Sequence, residues 1–346
     1  MATTLAGRLR LLGPIIVALI LTTIGVRTYL QFQPSISAGA TDRPSTIVYI
    51  KPKTGVQEIA QLLQEAGVIR SPWVFLALAY LQGSLTRLQA GEYEFTSSMS
   101  LSEILHRLET GRIFTHQVTI PEGFTVLDIA QLLASERLAD ADRFMALVKD
   151  ARFADRLGLP VASLEGYLFP DTYRLGRGTP EEEIIRSMVA RFREVLPSDF
   201  EVQAERLNLD GHGVITLASL IEKEAKLDSE RPLVSGVFYN RLRRNMPLQS
   251  DPTAIYGAAN SRRRITTIDL QRKTPYNTYL KAGLPPGPIA NPGLASIRAA
   301  LNPARVDFLY FVAKNDGSHF FSKTLEQHVE AVRNYQMKGK GPDGRS

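Results

Sequence analysis

The chain has 346 residues, 44% of them hydrophobic, which is enough for two domains with a buried core. It has no cysteine, which excludes disulfide frameworks, thiolate nucleophiles and cysteine-based zinc sites. Of the net charge of +6, Arg8, Arg10 and Arg27 supply three positive charges, with no acid among residues 1–27; the remainder is too weakly basic to argue for a nucleic-acid partner.

Between Arg10 and Arg27 runs an uncharged segment, Leu11 to Val26. As a helix it spans about 24 Å, short of the roughly 30 Å hydrocarbon core. Extension through Arg27, Tyr29 and Leu30 closes the gap, because arginine can snorkel and tyrosine suits the interface. The expectation is a transmembrane anchor over 11–30 with residues 1–10 cytoplasmic. Everything after Leu30 is then extracytoplasmic, on a plasma (inner) membrane. The alternative is a cleaved signal peptide, for which "SISAGA" at 35–40 offers small residues.

Residues 31–46 are polar with Pro34, Gly39 and Pro44 and read as a linker. An internal echo follows: "VYIKPKTGVQEIAQLL" at 48–63 aligns with "VTIPEGFTVLDIAQLL" at 118–133. Each copy predicts a short strand, a turn and an amphipathic helix. Between them, Ser100 or Ser102 is placed to cap a helix that stops at Gly111. Compact pieces of this kind resemble glycan-binding LysM modules, and a small packing or spacer domain is the plain alternative. The expected organisation is a LysM-like module over 47–139, a mainly helical domain over 140–337, and a flexible tail at 338–346. A fragment starting near residue 140 should then retain the chemistry of the helical domain.

In that second part, "EEEIIRSMVARFREVL" at 181–196 is amphipathic, with acids early and arginines late. Helices follow at "VITLASLIEKEA" and at "RPLVSGVFYNRLRR", where Pro232 marks a start. "SRRRI" at 261–265 reads as a solvated turn. "LPPGPIANPG" at 284–293 must be an extended loop. "DFLYFVAKNDGSHFFS" at 307–322 predicts a β-hairpin, and a final helix begins at "TLEQH". The fold class is therefore expected to be α+β: an N-terminal transmembrane helix, a small LysM-like module, and a helical domain with a short hairpin.

Several chemistries are excluded. No Ser is followed three residues later by Lys, and there is no G-x-S-x-G, P-loop or H-E-x-x-H. The five histidines are scattered, so neither metal nor cofactor is expected. What stands out is "LASLIEKEAK" at 217–226, an apolar helix carrying Glu222 and Glu224. On a helical wheel Glu222 lies beside Ile215, Ala218 and Ala225, and the two small alanines leave room for a ligand. An apolar wall there would suit a general acid. The bland reading is a half-buried glutamate in a salt bridge. Glu224 points away and reads as the partner of a cation such as Arg231 or Arg241.

"EGYLFPDTY" (165–173), "ASLIEKEA" (218–225), "VFYNRL" (237–242), "LQSDPTAIYG" (248–257), "PYNTYLKAGLPPGPIANPG" (275–293) and "YFVAKNDGSHFFSKTLEQH" (310–328) occur in that order. Together they resemble the MltG (YceG-like) family of endolytic murein transglycosylases, over about residues 45–337. The resemblance implies a membrane-anchored lytic transglycosylase that cleaves between N-acetylmuramic acid and N-acetylglucosamine within nascent peptidoglycan strands. It places the catalytic glutamate at Glu222, which donates a proton to the leaving oxygen and then accepts one from the muramoyl 6-hydroxyl. A 1,6-anhydro end results and no water is consumed, so one carboxylate can suffice where hydrolases generally use two. Asn240, Gln249, Asp251, Asn277, Tyr279 and Glu165 are candidates to bind substrate, with Asp171 beside them. Each could instead brace a loop, and Asp251 before Pro252 could cap a helix. Peptidoglycan strands, the membrane and peptidoglycan synthases are the expected partners. The competing readings are a hydrolytic muramidase, using Asp251 or Glu165 as second carboxylate, and a non-catalytic scaffold.

Overall fold

In "TIVYI" the apolar alternation puts Val48 and Ile50 on one face of a strand, and both are buried. This strand, β1 (Thr46–Ile50), belongs to a computed structural model that describes residues 45–258 and 265–337, together with Gly25. The expected cytoplasmic N-terminus, the anchor apart from Gly25, most of the linker, most of the "SRRRI" cluster and the tail lie outside the described residues. Among the described residues no helix is long and apolar enough to cross a membrane.

The chain divides into two compact units, one reaching to Gln117 and including Arg174–Thr179, the other comprising Val118–Tyr173 and the chain from Pro180. In the first, α1 (Val56–Glu65) and α2 (Pro72–Leu81) connect β1 to β2 (Gly91–Phe95). The strands pair antiparallel with Val48 opposite Tyr93. Ile59 and Leu63 of α1, Phe75 and Leu78 of α2, and Tyr93 close one core with Ile104, Leu105 and Leu108 of α3 (Leu101–Thr110). Helix α3 starts in a capping box, Ser100 with Glu103, and ends at Gly111; of the two serines proposed, Ser100 is the cap. Glu92 is buried in this unit and accepts from His116 and from Arg177 at 2.9 Å.

β3 (His116–Thr119) pairs with β4 (Thr172–Leu175). In the second unit, α4 (Val126–Ser135) begins in a Thr125–Asp128 capping box. It packs on α5 (Ala141–Val148), which packs on α6 (Glu181–Val195). The second copy of the strand–turn–helix echo thus has its helix in the same unit as Glu222. A cut at residue 140 would remove part of that unit.

At the centre lies α7 (Gly211–Glu224), where Val214, Ile215, Leu217, Ala218, Leu220 and Ile221 are each at most 1% exposed. A helix buried on every side over these turns must be surrounded, and α7 packs against α8 (Arg231–Arg243) and, most extensively, α9 (Leu294–Leu301). The expected hairpin is present as β5 (Tyr310–Ala313) and β6 (His319–Ser322), with Tyr310 opposite Ser322, followed by α10 (Leu325–Val332). The described chain is α+β, helices predominating over two-stranded sheets.

Candidate active site

Helix α7 stops at Glu224, and Ala225 turns extended. Glu222 and Glu224 therefore sit in the last turn of the helix rather than in its middle. The carbonyls there carry partial negative charge, so an ionised carboxylate needs compensation. Arg231, the first residue of α8, supplies it: its Nη1 lies 3.2 Å from Glu222 Oε1, with both side chains under a tenth exposed. The guanidinium is itself held by Asp228 at 2.9 Å and by the Ser296 hydroxyl. The other oxygen, Glu222 Oε2, accepts from the Gly293 N–H at 3.0 Å. Ala218 and Ala225 are buried in the core rather than lining open space, so room beside Glu222 comes from elsewhere.

It comes from the turn 121–125. Gly123 has φ of +74°, a conformation glycine tolerates without steric cost. Its Cα faces the Glu222 side chain, with 3.5 Å between the position of an added Cβ and Glu222 Cγ. The turn is tied down by Asn291. Gly123 N donates to the Asn291 carbonyl at 2.9 Å, and Asn291 N donates to the Phe124 carbonyl at 2.8 Å. The Asn291 side chain donates to Phe124 O and to Glu165 Oε1 and accepts from the N–H groups of Gly166 and Leu168. One fully buried amide thereby joins three segments distant in sequence.

Two residues beyond Asn291, Gly293 has no side chain, and the Glu122 carboxylate fills the place a Cβ would take. Burial first, and the charge of Glu222 second, push the Glu122 carboxyl above the ordinary range; Arg231 opposes and Asp228 adds. Glu122, Lys223, Glu165, Phe124, Val126 and Tyr256 contribute to the lining of a cleft of 710 Å³. Lys223 Nζ donates to the Gly123 carbonyl at 3.2 Å.

Glu165 is 3% exposed and accepts from Val126 N at 3.0 Å, from Asn291, and from the Tyr256 hydroxyl at 2.9 Å. Burial outweighs these donors and pushes its carboxyl up to about 8. Of the six residues expected to bind substrate, it is the one that lines this cleft. Gln249, Asp251, Asn277 and Tyr279 come together elsewhere in the unit. The Tyr279 hydroxyl donates to Asp251, Asn277 Oδ1 accepts from Tyr279 N at 3.0 Å, and Gln249 N donates to Thr278 O at 3.1 Å. This network adjoins Glu224, whose carboxylate accepts from the Ser250 hydroxyl at 2.6 Å. Asp251 is the first residue of a short helix over Asp251–Ile255, with Ser250 at the cap position. Asn240 donates to the carbonyls of Val306 and Phe308 and braces that loop. Asp171 pairs with Arg191 at 2.6 Å.

The cation expected for Glu224 is engaged elsewhere in both versions. Arg231 holds Glu222, and Arg241 donates to the Leu309, Pro247 and Leu248 carbonyls and to Gln249. Desolvation, opposed by Ser250 and assisted by Asp251, instead pushes the Glu224 carboxyl up to about 7. Glu122, Asn291 and Gly293 were not singled out from sequence. The available signal for Glu122 was the comparison of the two echoes, where Pro52 stands at the position aligned with Glu122.

Residues 48–334 match the YceG-like family, and the chain belongs to it. It is 35% identical over 311 residues to the endolytic murein transglycosylase of Bacillus subtilis strain 168, the match covering 85% of this chain and 86% of that protein. The endolytic murein transglycosylase of Streptococcus pneumoniae strain D39 is 34% identical over 325 residues; there the match covers 85% of this chain and 59% of the pneumococcal protein. A crystal structure of a YceG-like protein of Listeria monocytogenes matches with a TM-score of 0.59 at 31% identity, over 83% of this chain and 98% of that one.

Proposed function

We propose that this chain is an endolytic murein transglycosylase that cleaves N-acetylmuramic acid–N-acetylglucosamine bonds within peptidoglycan strands, with Glu222 as its acid–base centre. The observation that carries this reading is the placement of Glu222 beside the cleft, between a buried guanidinium and a backbone N–H. These partners stabilise the carboxylate state in which the group accepts the muramoyl 6-hydroxyl proton. Of the carboxylates considered for a hydrolytic route, Asp251 is engaged by Tyr279 and Glu165 is enclosed by donors, which favours the lytic route. Mass spectrometry of digested strands separates the two: anhydro ends support transglycosylation, and reducing ends, heavier by one water, support a muramidase. No cleavage by folded protein would leave the scaffold reading.

The apolar run at 11–26 between arginines supports a single-pass anchor in the plasma (inner) membrane, with the enzyme outside the cytoplasm. Glycan cleavage there would act on nascent strands and help to end their elongation, alongside peptidoglycan synthases. The β1–α1–α2–β2 arrangement of the first unit keeps the LysM-like, glycan-holding reading. Full-length protein should stay with membranes through high-salt washing, whereas a chain from residue 31 should be soluble. A mature N-terminus near Thr41 would instead mean a cleaved signal peptide.

A further inference from the structure

The acid–base role of Glu222 poses a difficulty that its own surroundings define. A general acid must hold a proton, yet Arg231 and the Gly293 N–H are partners for a carboxylate, not for a carboxylic acid. Both donors point at Glu222, one on each oxygen. A second carboxylate shares the spot, because Gly293 presents its N–H to Glu222 and its bare Cα to Glu122. We infer that Glu122 and Glu222 act as a pair holding one proton between them, and that Glu122 is the member that carries it at rest.

Both carboxylates lie against Gly293, one at its N–H and one at its Cα, and like charges gathered at one site cannot both ionise without cost, so such a pair favours keeping one proton. The charged groups facing Glu122 are Glu222 and Asp228, which favour its proton, and Arg231, which opposes it. Lys223 lies along the same turn, bonded to the Gly123 carbonyl. Partial desolvation where the carboxylate tucks against Gly293 is the larger cause and the neighbouring acids the next; together they raise the Glu122 carboxyl, although the residue as a whole stands on an exposed turn. Glu122 also lines the cleft, whereas the Glu222 side chain is only 6% exposed.

The inference rests on the lytic reading and completes its proton inventory. As the bond from C1 to the leaving oxygen breaks, its electron pair goes to that oxygen, which takes the proton held by the pair. The muramoyl 6-oxygen forms the new bond to C1, and its proton returns to the pair. The enzyme ends with the proton it began with, and no water or other reactant enters.

Two measurements on the full chain test this. In the first, the carboxyl carbons are labelled with 13C-glutamate and titrated by NMR, independently of any activity. Glu122 should titrate above an ordinary glutamate in the wild type, and Glu222→Gln should bring it down by removing the neighbouring charge. A Glu122 that titrates as an ordinary glutamate, or that ignores Glu222→Gln, overturns the pair. In the second, Glu122→Gln should lower release of anhydro ends about 10²-fold near neutral pH. Because glutamine holds no titrating proton, the alkaline limb of the pH profile should also move to lower pH. Glu122→Gln lies on an exposed turn, so circular dichroism should remain native. Unchanged rate and profile would overturn the role in catalysis. If wild-type protein formed no anhydro ends, the lytic reading would fail by itself, while the NMR result would still decide whether the pair exists.

Discussion

Gly293 donates its N–H to the Glu222 carboxylate at 3.0 Å while leaving the space beside its Cα to Glu122. Its backbone, with φ of −76°, is open to any residue, so the requirement for glycine here is one of space alone. Gly293→Ala should therefore fold and yet displace the Glu122 carboxylate. The expected result is a native circular dichroism spectrum with cleavage reduced at least about 10-fold, in line with lost positioning of an acid–base group. Wild-type turnover by the alanine variant would show that the close approach is incidental.

Glu222 and Glu224 stand two residues apart and should respond in opposite ways to the same change. Glu222→Gln is nearly isosteric but cannot exchange the proton, so cleavage should fall about 10²–10⁴-fold with the fold intact. Glu224→Gln should leave cleavage in place. Burial pushes its carboxyl up to about 7 in the folded protein, above its unfolded value, so ionisation costs stability as pH rises from about 4.5 through 7. Removing that cost should stabilise the variant above pH 7 by about 3 kcal/mol, read by chemical denaturation. The reverse pattern of activities would transfer the chemistry to Glu224.

Glu165 gives the protein a second alkaline weakness. Its folded value of about 8 lies above the unfolded one, so the group costs nothing below about pH 4.5. The full cost appears only above about pH 8. Stability should decline across that window by several kcal/mol, and Glu165→Gln should flatten the decline, since an amide can still accept from Val126 N. An unchanged slope in denaturant titrations at pH 5 and 8.5 would mean that the carboxyl remains ionised throughout.

A fragment beginning near residue 140 should lack both stability and cleavage. It loses Gly123, Phe124 and Val126, which supply partners to Asn291 and Glu165. Those buried groups would be left unsatisfied at about 1–3 kcal/mol each. Circular dichroism and strand digestion on this fragment check the point; a folded, active product would return residues 118–139 to the role of a spacer.

Local physics made much of this molecule legible from residue order alone. The α3 capping box, the hairpin around Asn315 and Gly317, the Pro232 helix start and the two strand–turn–helix echoes each depend on neighbours a few positions apart. Glu222 and Glu224 were conspicuous for a related reason, as carboxylates in a run of buried aliphatics, and it is the family resemblance that points to Glu222. What surrounds it was not legible. Arg231, Glu122, Asn291 and Gly293 reach Glu222 or one another through a turn and a proline-rich loop whose paths no periodicity describes. The same limit explains why Asn240, Gln249, Asn277 and Tyr279, polar residues in prominent motifs, are found bracing loops. Residue type announces the capacity to hydrogen-bond, but the partner is chosen by packing, because most buried polar groups find one where the chain has already closed.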